Sequence, residues 1–245
     1  LAHVLAAVQA AGADGLAVVV GPDRADVAEA VRKAAPDAEI FVQTERLGTA
    51  HAVLAARLAL ERGWDDILIA FADTPLVRPE TFRALRDAVA SGDAVAALGF
   101  EAAVPDGYGR LLVDASGSLV AIREHKDATD SERATRLCNA GLMALSGAQA
   151  LSLLAAVEAT NAQKEFYLTD VVAGARARGL ATGYRVAPEA EVQGVNDRVQ
   201  LAACEATAQA RNAPLRRARQ RSSRTCPARK SCNWWSASVI PGPVT

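Results

Sequence analysis

Apolar and polar positions alternate in two rhythms along the first ninety residues. Residues 15–20 and 67–71 form continuous apolar runs, the pattern of strands covered on both faces, and residues 39–43 read as a short strand. Between them residues 1–11, 25–35 and 49–61 recur at helical spacing, and a further helix starts at Pro79, a residue suited to a first helical turn. Thr49 is a candidate N-cap for the 49–61 helix. Such alternation predicts βαβ units joined by right-handed crossovers. After residue 92 the rhythm changes. Residues 93–100, 109–114, 119–124 and 138–144 read as strands, with Ser116-Gly117 as a hairpin signal. Helices over 147–158 and 168–178, a strand over 181–186 and a helix over 197–208 follow. The order predicts an α/β protein with a mixed sheet carrying an inserted antiparallel portion.

The strand over 67–71 runs into Asp73-Thr74-Pro75, and Pro75 stops the ladder. Asp73 is therefore expected beyond the carboxyl end of a parallel strand, where open α/β sheets bind ligands. It is a candidate metal ligand facing a phosphate, or else a cap on the next turn or helix.

Composition sharpens this picture at the far end of the chain. The 245 residues include 51% hydrophobic ones, enough for a substantial core, and no stretch of 18 uncharged apolar residues that would span a membrane. Leu1-Ala2-His3 carries neither Met nor a basic leader, so a signal peptide is not expected. After Glu205 there is no acidic residue but eight basic ones, from Arg211 to Lys230. Of 27 basic residues, 19 then remain in residues 1–205 against all 28 acidic ones, a body of net charge −9. Cys138 and Cys204 lie in the body, Cys226 and Cys232 in the tail; no CxxC occurs, and reduced thiols in a cytoplasmic protein are the simplest reading. From about residue 210 no periodicity is expected. Residues 209–245 read as a basic, disordered or non-native tail rather than a nucleic-acid arm, because Trp234 and Trp235 stand together instead of interleaving with basic residues.

Several segments carry candidate chemistry. In 43–51, Gly48 permits close backbone approach, the following helix start favours an anion or a carbonyl, and Gln43 both donates and accepts, as reading a nucleobase edge requires. Asp106-Gly107-Tyr108-Gly109-Arg110 is a hairpin turn or a fold over a sugar. Glu124, in the charged run 123–129, could accept from sugar hydroxyls or join a solvated ion-pair cluster. Asn139 sits in a strand with Gly141 nearby. Thr169 meets substrate or caps a helix. Asn196 offers an oxygen suited to Mg²⁺, or else Asn196 or Asp197 caps the last helix.

Seven of these stretches, QTERLGTAHAV, FADTPLV, GYGRLLVD, IREHKDAT, CNAGLMAL, NAQKEFYLTDVV and QGVNDRVQLA, occur in one order over residues 1–208. Together they resemble the uridyltransferase domain of the bifunctional N-acetylglucosamine-1-phosphate uridyltransferase/glucosamine-1-phosphate acetyltransferase family. The resemblance implies a Rossmann-like, GT-A-like three-layer nucleotidyltransferase fold with a mostly parallel mixed sheet over residues 1–208. It implies UTP plus N-acetylglucosamine 1-phosphate giving UDP-N-acetylglucosamine and pyrophosphate for cell-wall precursors, without a protein nucleophile. Asp73 and Asn196 would hold Mg²⁺. Gln43, Gly48 and Thr49 would contact the uracil side. Gly109, Glu124, Asn139 and Thr169 would contact the sugar, with Phe71 and Ala72 beside the substrate. The family's Gly-rich opening loop with its Lys, the first strand before it and the hexapeptide β-helix after it have no counterpart in these residues. Activity of this chain is therefore expected to be weak. The family's trimer forms largely through that β-helix. Neither membrane nor nucleic acid is expected as a partner.

Overall fold

The fold is that of a computed structural model, which describes residues 1–224, with side chains through 211. Element order is α1 (Ala2–Ala10), β1 (Ala17–Val20), α2 (Ala25–Ala34), β2 (Glu39–Val42), α3 (Thr49–Ala55), α4 (Arg57–Leu60), β3 (Asp66–Ile69) and α5 (Pro79–Ala90). Then come β4 (Val95–Glu101), β5 (Arg110–Val113), β6 (Leu119–Arg123), α6 (Asp130–Arg133), β7 (Leu137–Ser146), α7 (Gly147–Leu154), α8 (Asp170–Ala177), β8 (Thr182–Val186), a 3₁₀ turn (Glu189–Glu191) and α9 (Arg198–Arg224). Residues Leu1–Cys204 form one compact unit, and the described residues from Glu205 to Arg224 belong to another.

Three layers follow from the alternation along the central strands. Val95 and Ala97 of β4, with Met143 and Leu145 of β7, face a core completed by α3, α7 and α8. Ala96, Leu98 and Phe100, with Leu142 and Ala144, face the opposite core beneath α1 and α5. The expected mixed sheet is present, ordered β6-β5-β7-β4-β8, with β3 on the other edge of β7. Its hydrogen-bonded pairings are less parallel than expected. Among the described residues only β4–β8 pairs in parallel within it, whereas β7 pairs antiparallel with β3, β4 and β5, and β5 with β6; β1 and β2 form a separate two-stranded parallel sheet. Because β7 lies antiparallel between them, β3 and β4 still run the same way. The loop after β3 thus leaves at the carboxyl ends of β3 and β4. The predicted hairpin is β5–β6; Asp114 Oδ1 accepts from the amides of Ser116 and Ser118 at its turn.

Three local readings change. The 49–61 helix breaks at Ala56 into α3 and α4. Its N-cap position is Gly48, not Thr49, whose hydroxyl accepts instead from the amide of Leu168 at 2.8 Å. The last helix does not stop near 208 but continues to Arg224. Ala, Arg and Gln, which recur through it, are strong helix formers and no amphipathic period accompanies them; Pro214 stands in its interior against that propensity. Trp234 and Trp235 lie outside the described residues.

Between β1 of the small sheet and β3 of the large one no ladder forms among the described residues. Leu16 and Val20 carbonyls accept from β2, so the alternate residues Ala17 and Val19 direct their amides and carbonyls away from it. Asp65 O accepts from Gly147, so the intervening residues Asp66 and Leu68 face away from β7. A cavity of about 480 Å³ separates these edges, lined by Val4, Val8, Val19, Val53, Ile67 and Leu68 among others.

Candidate active site

A second cavity, of about 300 Å³, opens beyond the carboxyl ends of β3 and β4. Eight of the residues singled out from sequence line it: Thr49, Phe71, Asp73, Gly109, Glu124, Asn139, Thr169 and Asn196. Gln43 and Gly48 adjoin it through Thr49, tied together by a hydrogen bond from Gln43 Nε2 to Gly48 O at 3.1 Å. Ala72 does not line this cleft. It lies on the apolar cavity, where its carbonyl accepts from the Leu1 amino group at 3.0 Å.

Strand β3 ends at Ile69, two residues earlier than the apolar run predicts, so Phe71 and Asp73 belong to a loop. Buried Thr74 pins that loop by donating to Phe71 O at 3.2 Å. Asp73 caps no helix: the N-cap position of α5 is Arg78, and buried Glu191 accepts from its amide at 2.9 Å and from the Thr81 hydroxyl. That carboxylate also anchors the 3₁₀ turn leading to Gln193–Asn196. Val195 N donates to Asp73 O at 2.8 Å, joining the two loops. A Cβ on Gly194 would stand 3.6 Å from Asn196 Nδ2 and 3.9 Å from Asp73 Oδ2, so the two side chains converge over this glycine. The capping alternative for Asn196 falls to its neighbour. Asp197 Oδ1 accepts from Gln200 N at 2.8 Å and caps α9, leaving the Asn196 side chain exposed in the cleft. No cluster of three His, Cys, Asp or Glu suited to a metal occurs among the described residues. One carboxylate and one amide oxygen are nevertheless a donor set that fits Mg²⁺, which takes few protein ligands and completes its shell with phosphates and water.

The opposite wall is built around a carboxylate. Glu124 is half-buried, and burial pushes its carboxyl above the usual range, opposed by the Thr169 hydroxyl donating to Oε1 at 3.2 Å. Thr169 occupies the N-cap position of α8 but makes no capping bond, so its hydroxyl serves Glu124. A Cβ on Gly109 would lie 3.3–3.4 Å from that carboxylate, which explains a glycine there. Burial likewise raises the Asp170 carboxyl, and Asp127 Oδ2 and His125 Nδ1 are buried without partners among the described residues.

Asn139 is aimed by an irregularity in β7. Opposite β4, the register shifts between Ala97 and Gly99, placing residues 140–142 of β7 against Leu98 alone. Gly141, at φ +83°, takes the left-handed conformation, and a Cβ on it would meet the Phe71 ring at 2.9 Å. Asn139 Oδ1 accepts from Gly141 N at 3.0 Å, leaving Nδ2 as the donor toward the cleft.

The nucleotide-side loop is clamped from afar. Phe166 N donates to Leu47 O at 2.8 Å and Ala50 N to Phe166 O at 2.9 Å. Gly48 has φ +121°, and a Cβ there would fall 2.5–2.9 Å from the Phe166 backbone. Sequence reasoning named Tyr108, Gly141 and Gly194 only within their stretches, without assigning them to the wall, and missed Gln200. The glycines of CNAG and QGVN carried a signal for two of them. Tyr108 packs edge-on against Phe100 at 5.0 Å, over a fully buried Arg110 whose guanidinium donates to the Tyr108 and Arg133 carbonyls.

The chain matches the family model of the MobA-like NTP transferase domain over residues 1–167. It is 64% identical over 211 residues, 86% of its length, to the bifunctional protein GlmU of Xanthobacter autotrophicus, and 57% identical over 218 residues to that of Azorhizobium caulinodans. It spans about half the length of these curated relatives, 47% and 48%. The solved structure of UDP-glucose pyrophosphorylase complexed with UDP-glucose superposes with a TM-score of 0.57 at 15% identity, covering 75% of this chain and 77% of that one, so the nucleotidyltransferase Rossmann-like fold is shared. The chain therefore belongs to the MobA-like NTP transferase domain family, and it matches one half of the GlmU proteins.

Proposed function

We propose that this domain is the N-acetylglucosamine-1-phosphate uridyltransferase part of such a protein, acting in the bacterial cytoplasm in cell-wall precursor synthesis. Its reaction is UTP plus N-acetylglucosamine 1-phosphate to UDP-N-acetylglucosamine and pyrophosphate. The observation that carries this reading is the convergence of Asp73 and Asn196 on one wall and Glu124, Thr169 and Asn139 on the other of one cleft. Similarity to GlmU over 86% of the chain supports it.

The chemistry is displacement at the α-phosphorus of UTP by a phosphate oxygen of the sugar phosphate, in line with the leaving pyrophosphate. Such a transfer asks the protein for position and charge rather than for a nucleophile. Gln43, Gly48 and Thr49 hold the uracil side, with Phe71 beside the substrate. Gly109, Glu124, Asn139 and Thr169 hold the sugar, the carboxylate accepting from a hydroxyl and Asn139 Nδ2 donating. Asp73 and Asn196 would hold Mg²⁺, which would supply charge neutralisation to the phosphates. Among the described residues, no lysine or arginine lines the cleft. That observation favours a second reading, in which the chain as it stands binds the sugar nucleotide but transfers weakly.

Two measurements on the 245-residue chain separate the readings: pyrophosphate release from UTP, N-acetylglucosamine 1-phosphate and Mg²⁺, and calorimetric titration with UDP-N-acetylglucosamine. The enzyme reading expects metal-dependent release that falls at least a hundredfold in Asp73→Ala. Binding without release supports the second reading. Equal release by Asp73→Ala, or neither release nor binding, overturns the assignment.

A further inference from the structure

The half-buried amide of Gln43 is held from two sides. Nε2 lies 3.1 Å from Gly48 O and 3.1 Å from His51 Nδ1. A backbone carbonyl only accepts, so the Gln43 atom facing Gly48 is the nitrogen. That nitrogen has a second hydrogen, and His51 Nδ1 is placed to receive it. Nδ1 is then the acceptor and the ring proton sits on Nε2. Reversing the amide would set Oε1 against the Gly48 carbonyl, oxygen to oxygen, and would keep the His51 contact only if the ring moved its proton to Nδ1. Gly48 alone would leave the terminal torsion of Gln43 loose, since sp³–sp² torsions are broad. The His51 ring is itself set against Phe166, with centroids 6.4 Å apart and planes tilted by 32°, and the Phe166 backbone pairs with both sides of Gly48. Both hydrogens of Gln43 are thereby committed to protein. Oε1 remains as an acceptor with no hydrogen-bond partner among the described residues.

We propose that His51 is a positioning residue for nucleobase selection, locking Gln43 so that it presents an acceptor and not a donor to the base. The inference rests on the uridine-nucleotide reading of the site and adds its selectivity. Uracil carries a hydrogen on N3 and donates to such an acceptor. Cytosine has a bare N3 that would face Oε1 lone pair to lone pair. A locked amide rejects cytosine, whereas an amide free to turn could offer Nε2 to it.

The test is competition of UDP and of CDP against UDP-N-acetylglucosamine bound to the full chain, for wild type, His51→Phe and His51→Asn. Phe keeps a ring against Phe166 but removes the acceptor. Asn can return an oxygen to the position of Nδ1. Wild type is expected to prefer UDP over CDP. His51→Phe should cut that preference by roughly threefold to tenfold, the effect of one net hydrogen bond, and His51→Asn should restore most of it. A His51→Phe protein that loses UDP and CDP affinity equally, or keeps the wild-type preference, overturns the inference while leaving the site's assignment intact. Failure of the wild-type chain to bind any uridine nucleotide overturns the assignment and the inference together.

Discussion

The two cavities share Thr49 and Phe71 and otherwise differ in kind. The larger, about 480 Å³, is walled mostly by aliphatic side chains, with the Arg86–Asp66 ion pair among its lining, and by two strand edges whose alternate backbone groups have no partner on that side among the described residues. The smaller, about 300 Å³, gathers two carboxylates, three side-chain amides and three threonines, and glycines stand where a Cβ would fill it. Size and apolarity therefore do not mark the site here. Convergent polar atoms do, together with backbone that has been kept bare to let them converge.

The comparison breaks first at Gly48. Gly48→Val places carbon where the Phe166 backbone already is, at a φ that a branched residue resists. Calorimetry should find no sugar-nucleotide binding, and melting should show a loss of about 3 kcal/mol. Retained binding would mean that the 47–50 clamp does not shape the cleft.

Glu124→Gln should act next. It replaces a charged acceptor by a neutral one and should weaken sugar-nucleotide binding about tenfold. It also carries a pH signature. The carboxyl of Glu124 is raised by burial, so the wild type keeps its full stability below the ordinary carboxylate pKa of about 4.3 and loses some as pH rises through the higher folded value. Glutamine cannot ionise. Its melting temperature relative to wild type should therefore be higher at pH 7 than at pH 4, and an unchanged difference across that range would remove the buried-carboxylate account.

The smallest effect belongs to the apolar cavity. Leu68→Ala enlarges a space that already exists, so the cost should be only about 1–2 kcal/mol in denaturant unfolding. Sugar-nucleotide affinity should stay within twofold. A larger loss of affinity would mean that the two cavities are coupled.

How legible was this in the sequence? The βαβ rhythm placed nearly every element, because buried strands write continuous apolar runs. Pairing direction was another matter: residues 138–144 look like any apolar strand, and nothing local says that β7 will meet three partners antiparallel. The helix beyond 208 was hidden because propensity without amphipathic period leaves no pattern to read. In the site, side chains with one exposed polar tip were found from their glycine-rich or strand-end settings. Contacts that decide between alternatives were not visible. Thr49 reaches Leu168, and Thr169 reaches Glu124, across separations that only the folded chain closes. Asp197 takes the cap that Asn196 could equally have taken.

β7 has a consequence of its own. One ten-residue strand hydrogen-bonds β3, from whose end the Asp73 loop springs, and β5, which opens beside Gly109, while carrying Asn139 itself. It works as a ruler laid under both halves of the cleft. The span between the Asp73 side and the sugar side is then measured in peptide units along a single backbone, and a one-residue insertion in β7 between Asn139 and Met143 would alter that span and the facing of the side chains on one side of it together.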